Sequence, residues 1–86
     1  MQFEYDPAKS QSNKSKHGID FDQAQMLWND PYRVEIEALS TTEPRFMVIG
    51  KIGDKYWAAI VTYRDEFSRI ISVRRARENE VELYES

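Results

Sequence analysis

Arginines are concentrated near the end of this 86-residue chain, although its formal net charge is −3. Five arginines and only two acidic residues lie between positions 64 and 77: Arg64, Arg69, Arg74, Arg75 and Arg77. Arg74 falls on a predicted strand, and Arg64 lies just beyond the end of the strand before it. If the pleating continues to Arg64, alternation predicts that both arginines point to the open face of a sheet. We expect them to converge on one spot and clamp a phosphate group. The alternative is that they form ion pairs with Glu35, Glu37 or Glu80.

The first predicted helix offers a second group of polar side chains. Lys9, Asn13 and His17 are spaced i, i+4, i+8 and therefore form one row on a helix, with Lys16 beside it. Such a row presents donors to an anion, and histidine suits general acid–base chemistry near pH 7. The alternative is that His17 only stabilises the C-terminus of its helix.

Glu80 and Tyr84 are spaced i, i+4 near the C-terminus. Glu80 is either a solvated carboxylate or a group that orients an arginine. Tyr84 either packs on the sheet edge or places its hydroxyl in a cleft.

Several other chemistries are excluded by composition. The chain has no cysteine and one histidine, so thiol nucleophiles, zinc clusters and histidine metal triads are absent. Its three glycines are scattered and form no phosphate-binding loop. Asp20 and Asp22 are conceivable ligands of a divalent cation. Two carboxylates in the first turn of a helix are explained more simply by their favourable interaction with the helix dipole. We therefore predict neither a metal nor a cofactor.

Periodicity and capping signals predict an α+β fold in one domain over residues 1–86. Asp6-Pro7 and Gly18 bound a first helix, and Asp20 with Gln23 opens a second helix that ends at Asp30-Pro31. A four-stranded antiparallel sheet follows, with strands over 33–39, 45–52, 55–63 and 68–74. A short C-terminal helix is predicted over 76–84. We expect the helices to cover one sheet face and leave the other open. Residues 3–5 are a candidate edge strand.

No apolar run is long enough to span a membrane, and the first residues lack the features of a signal peptide. We therefore expect a soluble, cytoplasmic domain.

The chain resembles the BrnT-type toxins along nearly its whole length. In the first half the resemblance rests on Phe3-Glu4-Tyr5-Asp6-Pro7, Lys9, Asn13, Lys16-His17-Gly18-Ile19, Phe21, Ala24 and Asp30-Pro31. In the second half it rests on Glu43, Arg45, Gly50, Arg69-Ile70-Ile71-Ser72, Arg74, Ala76, Glu80 and Tyr84. The Lys-His-Gly and Arg-Ile-Ile-Ser-x-Arg stretches are the most specific parts.

This resemblance implies a bacterial or archaeal ribonuclease toxin of RelE-like fold that inhibits translation. It implies a BrnA-type antitoxin as partner, with two toxins and two antitoxins in a complex that binds operator DNA through the antitoxin. Seven positions match polar positions of the family pattern: Lys9, Lys16, His17, Arg64, Arg74, Glu80 and Tyr84.

From chemistry we expect metal-independent RNA cleavage by 2′-hydroxyl attack. Arg64 and Arg74 would stabilise the transition state. His17 is the candidate acid or base, and Glu80 is a second base or an arginine orienter. Lys9, Lys16 and Tyr84 would bind RNA. The alternative function is a non-catalytic module that binds nucleic acid or protein.

Overall fold

The computed structural model of the chain describes residues 2–39 and 42–86. The elements in chain order are β1 (Gln2–Glu4), α1 (Pro7–His17), α2 (Phe21–Ala24), a 3₁₀ helix (Gln25–Asn29), β2 (Val34–Ala38), β3 (Arg45–Ile52), β4 (Lys55–Arg64), β5 (Phe67–Arg75) and α3 (Glu78–Glu85). None of the helices in these two ranges has the length and apolar character needed to cross a bilayer.

The helix boundaries follow from local capping chemistry. Asp6 accepts a hydrogen bond from the Ala8 N–H and caps α1, which begins at Pro7. Gly18 ends α1 at a φ of 81°, a left-handed conformation that glycine adopts without steric cost. The predicted capping box of Asp20 and Gln23 is present at the start of α2. These predictions are confirmed.

The second predicted helix has a different form, because α2 is a single turn that continues as a 3₁₀ helix. Phe21, Ala24, Leu27 and Asp30 recur every three residues, and all four are buried. A 3₁₀ helix has three residues per turn, so this tighter winding turns Leu27 toward the sheet. There Leu27 approaches Gly50 so closely that a Cβ at position 50 would lie 3.0 Å from Leu27 Cδ2.

The sheet has five strands in the order β1-β5-β4-β3-β2. The prediction of a purely antiparallel sheet of four strands is wrong in number, because β1, near the candidate edge strand at residues 3–5, adds a fifth strand that runs parallel to β5. Pairing through β2, β3, β4 and β5 is antiparallel, as predicted. A three-residue strand is too short for its hydrophobic alternation to indicate which strand it pairs with. Here the paired strand, β5, lies near the other end of the sequence.

One sheet face, which we call the helical face, packs against α1, α2 and the 3₁₀ helix. Its side chains form the main core with residues of those helices; the strand members are Val48, Trp57, Ala59, Val61, Ile70 and Val73. The opposite side we call the second face. Across its middle, from β2 to β5, it carries Ile36, Met47, Ile60 and Ser72 in one cross-strand row.

The second face is not fully open, contrary to the prediction. Helix α3 lies against one end of it, where Tyr56 contacts Tyr84 edge to face and Arg74 pairs with Glu80. Ile49 and Ala58 at this end are buried. The remaining length of the face, from Ile60 toward Arg64, carries no helix among the described residues.

A β-bulge in β5 changes which of its side chains reach each face. Ile60 pairs with Ser72 and Val61 with Ile70, so Ile71 is the extra residue. Simple alternation would place Ile71 and Val73 on one face, but the bulge makes Ile70 and Val73 the core side chains of β5. The bulge also places Arg69 on the same face as Arg74.

Candidate functional site

Arg74 and Glu80 form a two-point ion pair between β5 and α3. Arg74 Nη1 and Nη2 each donate a hydrogen bond of 2.8 Å to Glu80, and Nη1 also donates to the Arg75 carbonyl. Two N–H groups of Arg74 remain, one on Nε and the second one on Nη2. Neither donates a hydrogen bond to a described residue. On a guanidinium these two N–H groups form one edge, which matches two oxygens of a phosphate.

Glu80 is only 5% exposed and accepts a third hydrogen bond, from the Arg77 N–H. The hydrogen bonds from Arg74 and Arg77 outweigh burial and hold the pKa of Glu80 below its ordinary value of 4.5. The same pair raises the pKa of Arg74. Glu80 is therefore an ionised group that orients Arg74, which is one of the two roles considered from the sequence.

Tyr84 lies beside this pair on α3, but its hydroxyl donates to Asp30 Oδ2 at 2.8 Å. Burial and this hydrogen bond raise the pKa of Tyr84 to about 12. Asp30 also accepts hydrogen bonds from the Tyr32 and Lys51 N–H groups. Tyr84 thus anchors α3 to the end of the 3₁₀ helix and to β3.

Arg64 lies on the second face, as predicted, but far from Arg74. Arg74 is paired with Ala58, and Arg64 follows Ala58 by six residues along β4. At about 3.3 Å per residue, this places the two arginines roughly 20 Å apart along the strand. The predicted clamp on one phosphate is therefore wrong, because the alternation rule predicts the face of a residue but not its position along the strand.

The arginines near Arg64 are Arg45 and Arg69, which flank Thr62 from β3 and β5. Thr62 pairs with Arg69, and the pairing of Phe46 with Val61 places Arg45 on its other side. Arg64 contacts Glu43 at 3.4 Å. The alternative of an ion pair is therefore confirmed for Arg74, whose partner is the predicted Glu80, whereas the acid beside Arg64 is not one of those predicted. We call Arg45, Arg64 and Arg69 the arginine triad.

His17, Lys9 and Lys16 are exposed on α1, which packs over the helical face. Their helix is therefore on the other side of the sheet from Arg74 and Glu80. Asn13, predicted to join them in an anion-binding row, is buried instead. Its side chain donates to the Ile19 carbonyl and accepts from the Val73 N–H, so it holds α1 against β5.

Three residues that organise these groups have no site role predicted from the sequence. Asp30 is a helix end and part of the family resemblance, Arg45 belongs to that resemblance alone, and Arg69 belongs to the resemblance and to the arginine-rich stretch. A local signal existed for Asp30, since a carboxylate after a helix and before proline commonly caps a turn. Arg45 and Arg69 carried no such signal, because their meeting depends on strand register and on the bulge.

No three carboxylate or imidazole side chains in residues 2–39 and 42–86 come together in a way that could hold a metal ion. The described strands place four guanidinium groups on the second face, those of Arg45, Arg64, Arg69 and Arg74. Their chemistry is the binding of anions with two oxygens, such as phosphate.

A family model described as the ribonuclease toxin BrnT of type II toxin–antitoxin systems matches residues 5–80. The chain belongs to the BrnT family. The match spans the Arg74–Glu80 pair and the arginine triad, and it ends before Tyr84. No curated protein matches the chain in a sequence search.

Membership in the BrnT family makes this chain a ribonuclease toxin of a type II toxin–antitoxin system. An antitoxin partner follows from that class of system. The resemblance read from the Lys-His-Gly and Arg-Ile-Ile-Ser-x-Arg stretches is therefore confirmed.

Proposed function

We propose that this BrnT-family toxin cleaves RNA without a metal ion, at a phosphate held by Arg74. The observation that carries the proposal is the Arg74–Glu80 pair on the second face. In the reaction, the ribose 2′-oxygen gives its proton to a water molecule and bonds to the adjacent phosphorus. The bond from phosphorus to the 5′-oxygen breaks, and that oxygen takes up a proton from solvent. The products are a 2′,3′-cyclic phosphate and a 5′-hydroxyl.

Arg74 is the proposed catalytic residue. Negative charge grows on the non-bridging oxygens as the 2′-oxygen attacks, and a donor fixed before the reaction stabilises that charge most effectively. Glu80 fixes one edge of the guanidinium by two hydrogen bonds, which leaves the edge of Nε and Nη2 for the phosphate.

The positions of the other candidate residues in the fold determine the roles that we assign to them. Glu80 is a positioning residue, because its oxygens are occupied by Arg74 and Arg77. Tyr84 holds α3 in place through Asp30. Three further candidates lie on α1, on the other side of the sheet from Arg74: Lys9, Lys16 and His17. Because they are remote from the reacting phosphate, we assign them to contacts with other parts of the RNA.

The test is cleavage of end-labelled RNA in EDTA by the wild type and by Arg74→Ala. Loss of one transition-state donor typically lowers the rate by about 10²–10³. Arg74→Lys should remain slow, since an ammonium keeps the charge but lacks the two-point edge. The matched control is Arg75→Ala, because Arg75 is the next residue but stacks over Trp57 on the helical face.

Cyclic-phosphate ends from wild type and Arg75→Ala, with little product from Arg74→Ala, would support the proposal. Wild-type rates for Arg74→Ala would contradict the assigned role. Loss of cleavage in EDTA would contradict the metal-free reaction. RNA carrying a 2′-deoxy sugar at the cleavage position should stay intact, since it lacks the nucleophile.

We also propose a BrnA-type antitoxin as the partner, with two copies of each protein in a complex that represses its own operon. Support comes from the family, whose systems pair a toxin with an antitoxin. Production of the toxin alone should arrest growth, and production with the antitoxin from the adjacent gene should restore it. Light scattering of the purified complex measures the stoichiometry, and a one-to-one mass would contradict the two-plus-two assembly.

A further inference from the structure

The arginine triad gathers three positive side chains from three neighbouring strands. Arg45 and Arg69 lie directly across from Thr62, one on each side, and Arg64 follows Thr62 by two residues on the same face. Directly opposed residues have Cβ atoms about 4.5–5.5 Å apart. Thr62 itself is buried, and its hydroxyl donates to the Pro44 carbonyl, so the centre of the triad is fixed.

The acids near the triad compensate it only in part. Arg64 contacts Glu43 at 3.4 Å and Arg69 contacts Glu4 at 3.6 Å, which are long distances for ion pairs. Among the described residues, Arg45 forms no ion pair, and its Nε is buried without a hydrogen-bond partner. Arg45 is half-buried, and none of the ion pairs of the described residues compensates its positive charge.

We propose that the arginine triad binds a second phosphate of the RNA, separate from the phosphate at Arg74. Thr62 lies four residues beyond Ala58, the partner of Arg74. The two sites are therefore roughly 13 Å apart along β4. This inference rests on the proposed function, since it assumes that RNA is the substrate.

The surface between the two sites suits the intervening part of an RNA strand. Ile36, Met47 and Ile60 form a partly exposed apolar row there, and no described helix covers it. The row reaches β4 at Ile60, between the levels of Ala58 and Thr62, so a ribose or base can lie on it while the phosphates before and after it contact arginine. The RNA strand then runs along β4 across the second face.

The experiment measures binding of a fully 2′-O-methylated RNA oligonucleotide, which cannot be cleaved by 2′-hydroxyl attack. Arg45→Ala and Arg69→Ala are compared with the wild type and with Arg75→Ala over a range of salt concentrations. Each triad variant should lose affinity, and its slope of log K against log salt should fall by about 0.7–1. Arg75→Ala should bind as the wild type does.

Glu43→Gln provides a change in the opposite direction. It removes a carboxylate beside Arg64, so binding of the oligonucleotide should become tighter. A merely structural role of the triad predicts no such gain. Urea unfolding of every variant separates weaker binding from loss of folded protein.

With cleavable RNA, the triad variants should raise KM and leave kcat near the wild-type value. An equal fall in kcat would place the triad at the reacting phosphate and overturn the inference. Unchanged RNA affinity and an unchanged salt slope in folded Arg45→Ala and Arg69→Ala would also overturn the inference. This holds even if the same variants bind the antitoxin more weakly, because the triad would then serve the antitoxin and not RNA.

The two proposals fail separately. If no RNA is cleaved but the triad variants bind the methylated oligonucleotide as predicted, the second phosphate site stands and the reaction does not. If Arg74→Ala abolishes cleavage while the triad variants bind normally, the reaction stands and the second site is overturned.

Discussion

At the residue scale, Glu80 keeps its negative charge in a nearly buried position because three N–H groups compensate it. Two of them come from Arg74 and one from the Arg77 backbone. Replacement by glutamine removes the charge and sets an amide N–H₂ group toward these donors. We expect Glu80→Gln to lower the free energy of unfolding by about 1.5–3 kcal/mol at pH 7, measured by urea denaturation.

The same pair makes stability depend on pH in a known direction. The pKa of Glu80 is lower in the folded protein than in the unfolded chain, so its contribution is complete above about pH 4.5 and is lost as the pH falls through the folded pKa. Urea titrations from pH 7 to pH 3 should show this loss in the wild type. They should show a smaller loss in Glu80→Gln, and equal pH slopes would contradict the ion pair.

Asp30 is a second residue whose hydrogen bonds join distant parts of the chain. Tyr84→Phe removes one donor and should cost about 1.5–3 kcal/mol of unfolding free energy, as expected for a bond to a charged group. Asp30→Asn should lower the free energy of unfolding further, because it also weakens the hydrogen bonds that the carboxylate accepts from the Tyr32 and Lys51 N–H groups. Equal losses for the two single variants would show that only the tyrosine contact matters.

At the element scale, α1 is held to the sheet by polar side chains instead of an apolar stripe. Ser10 accepts from the Phe21 N–H, and Asn13 bonds the Ile19 carbonyl and the Val73 N–H. Both side chains are buried although α1 is almost entirely polar in sequence. These bonds explain how a helix with so little apolar surface packs on a core.

Asn13→Ala tests this attachment. The change leaves one buried carbonyl and one buried N–H without partners, so we expect a loss of about 2–4 kcal/mol of unfolding free energy. Ser12→Ala on the exposed side of α1 is the matched control and should change stability by less than about 0.5 kcal/mol. A loss for Asn13→Ala as small as that for Ser12→Ala would mean that the buried hydrogen bonds of Asn13 do not stabilise the fold.

At the scale of the whole molecule, a net charge of −3 coexists with two basic sites on one face. Local charge governs phosphate contacts, whereas net charge opposes general binding to nucleic acid. With four arginines on the second face and with Lys9 and Lys16 of α1 also proposed to contact RNA, we expect log K for single-stranded RNA to fall against log salt with a slope of about −4. A slope of about −3 would show that Lys9 and Lys16 do not contact the backbone.

The boundaries of most elements were predictable because they are local. The caps at Asp6 and Asp20, the glycine that ends α1 and the turn at Gly53 depend on a few neighbouring residues, and the structure has each of them. Strand β3 begins and ends where alternation and turn residues predicted.

The arrangement of the site was decided only by tertiary structure. The sequence by itself determined the family, the residue types that bind phosphate and the faces of Arg64 and Arg74. Strand register determined that these arginines lie far apart, and the bulge at Ile71 turned Arg69 toward Arg45. Register and bulges follow from pairing between segments distant in the chain, so no local pattern encodes them.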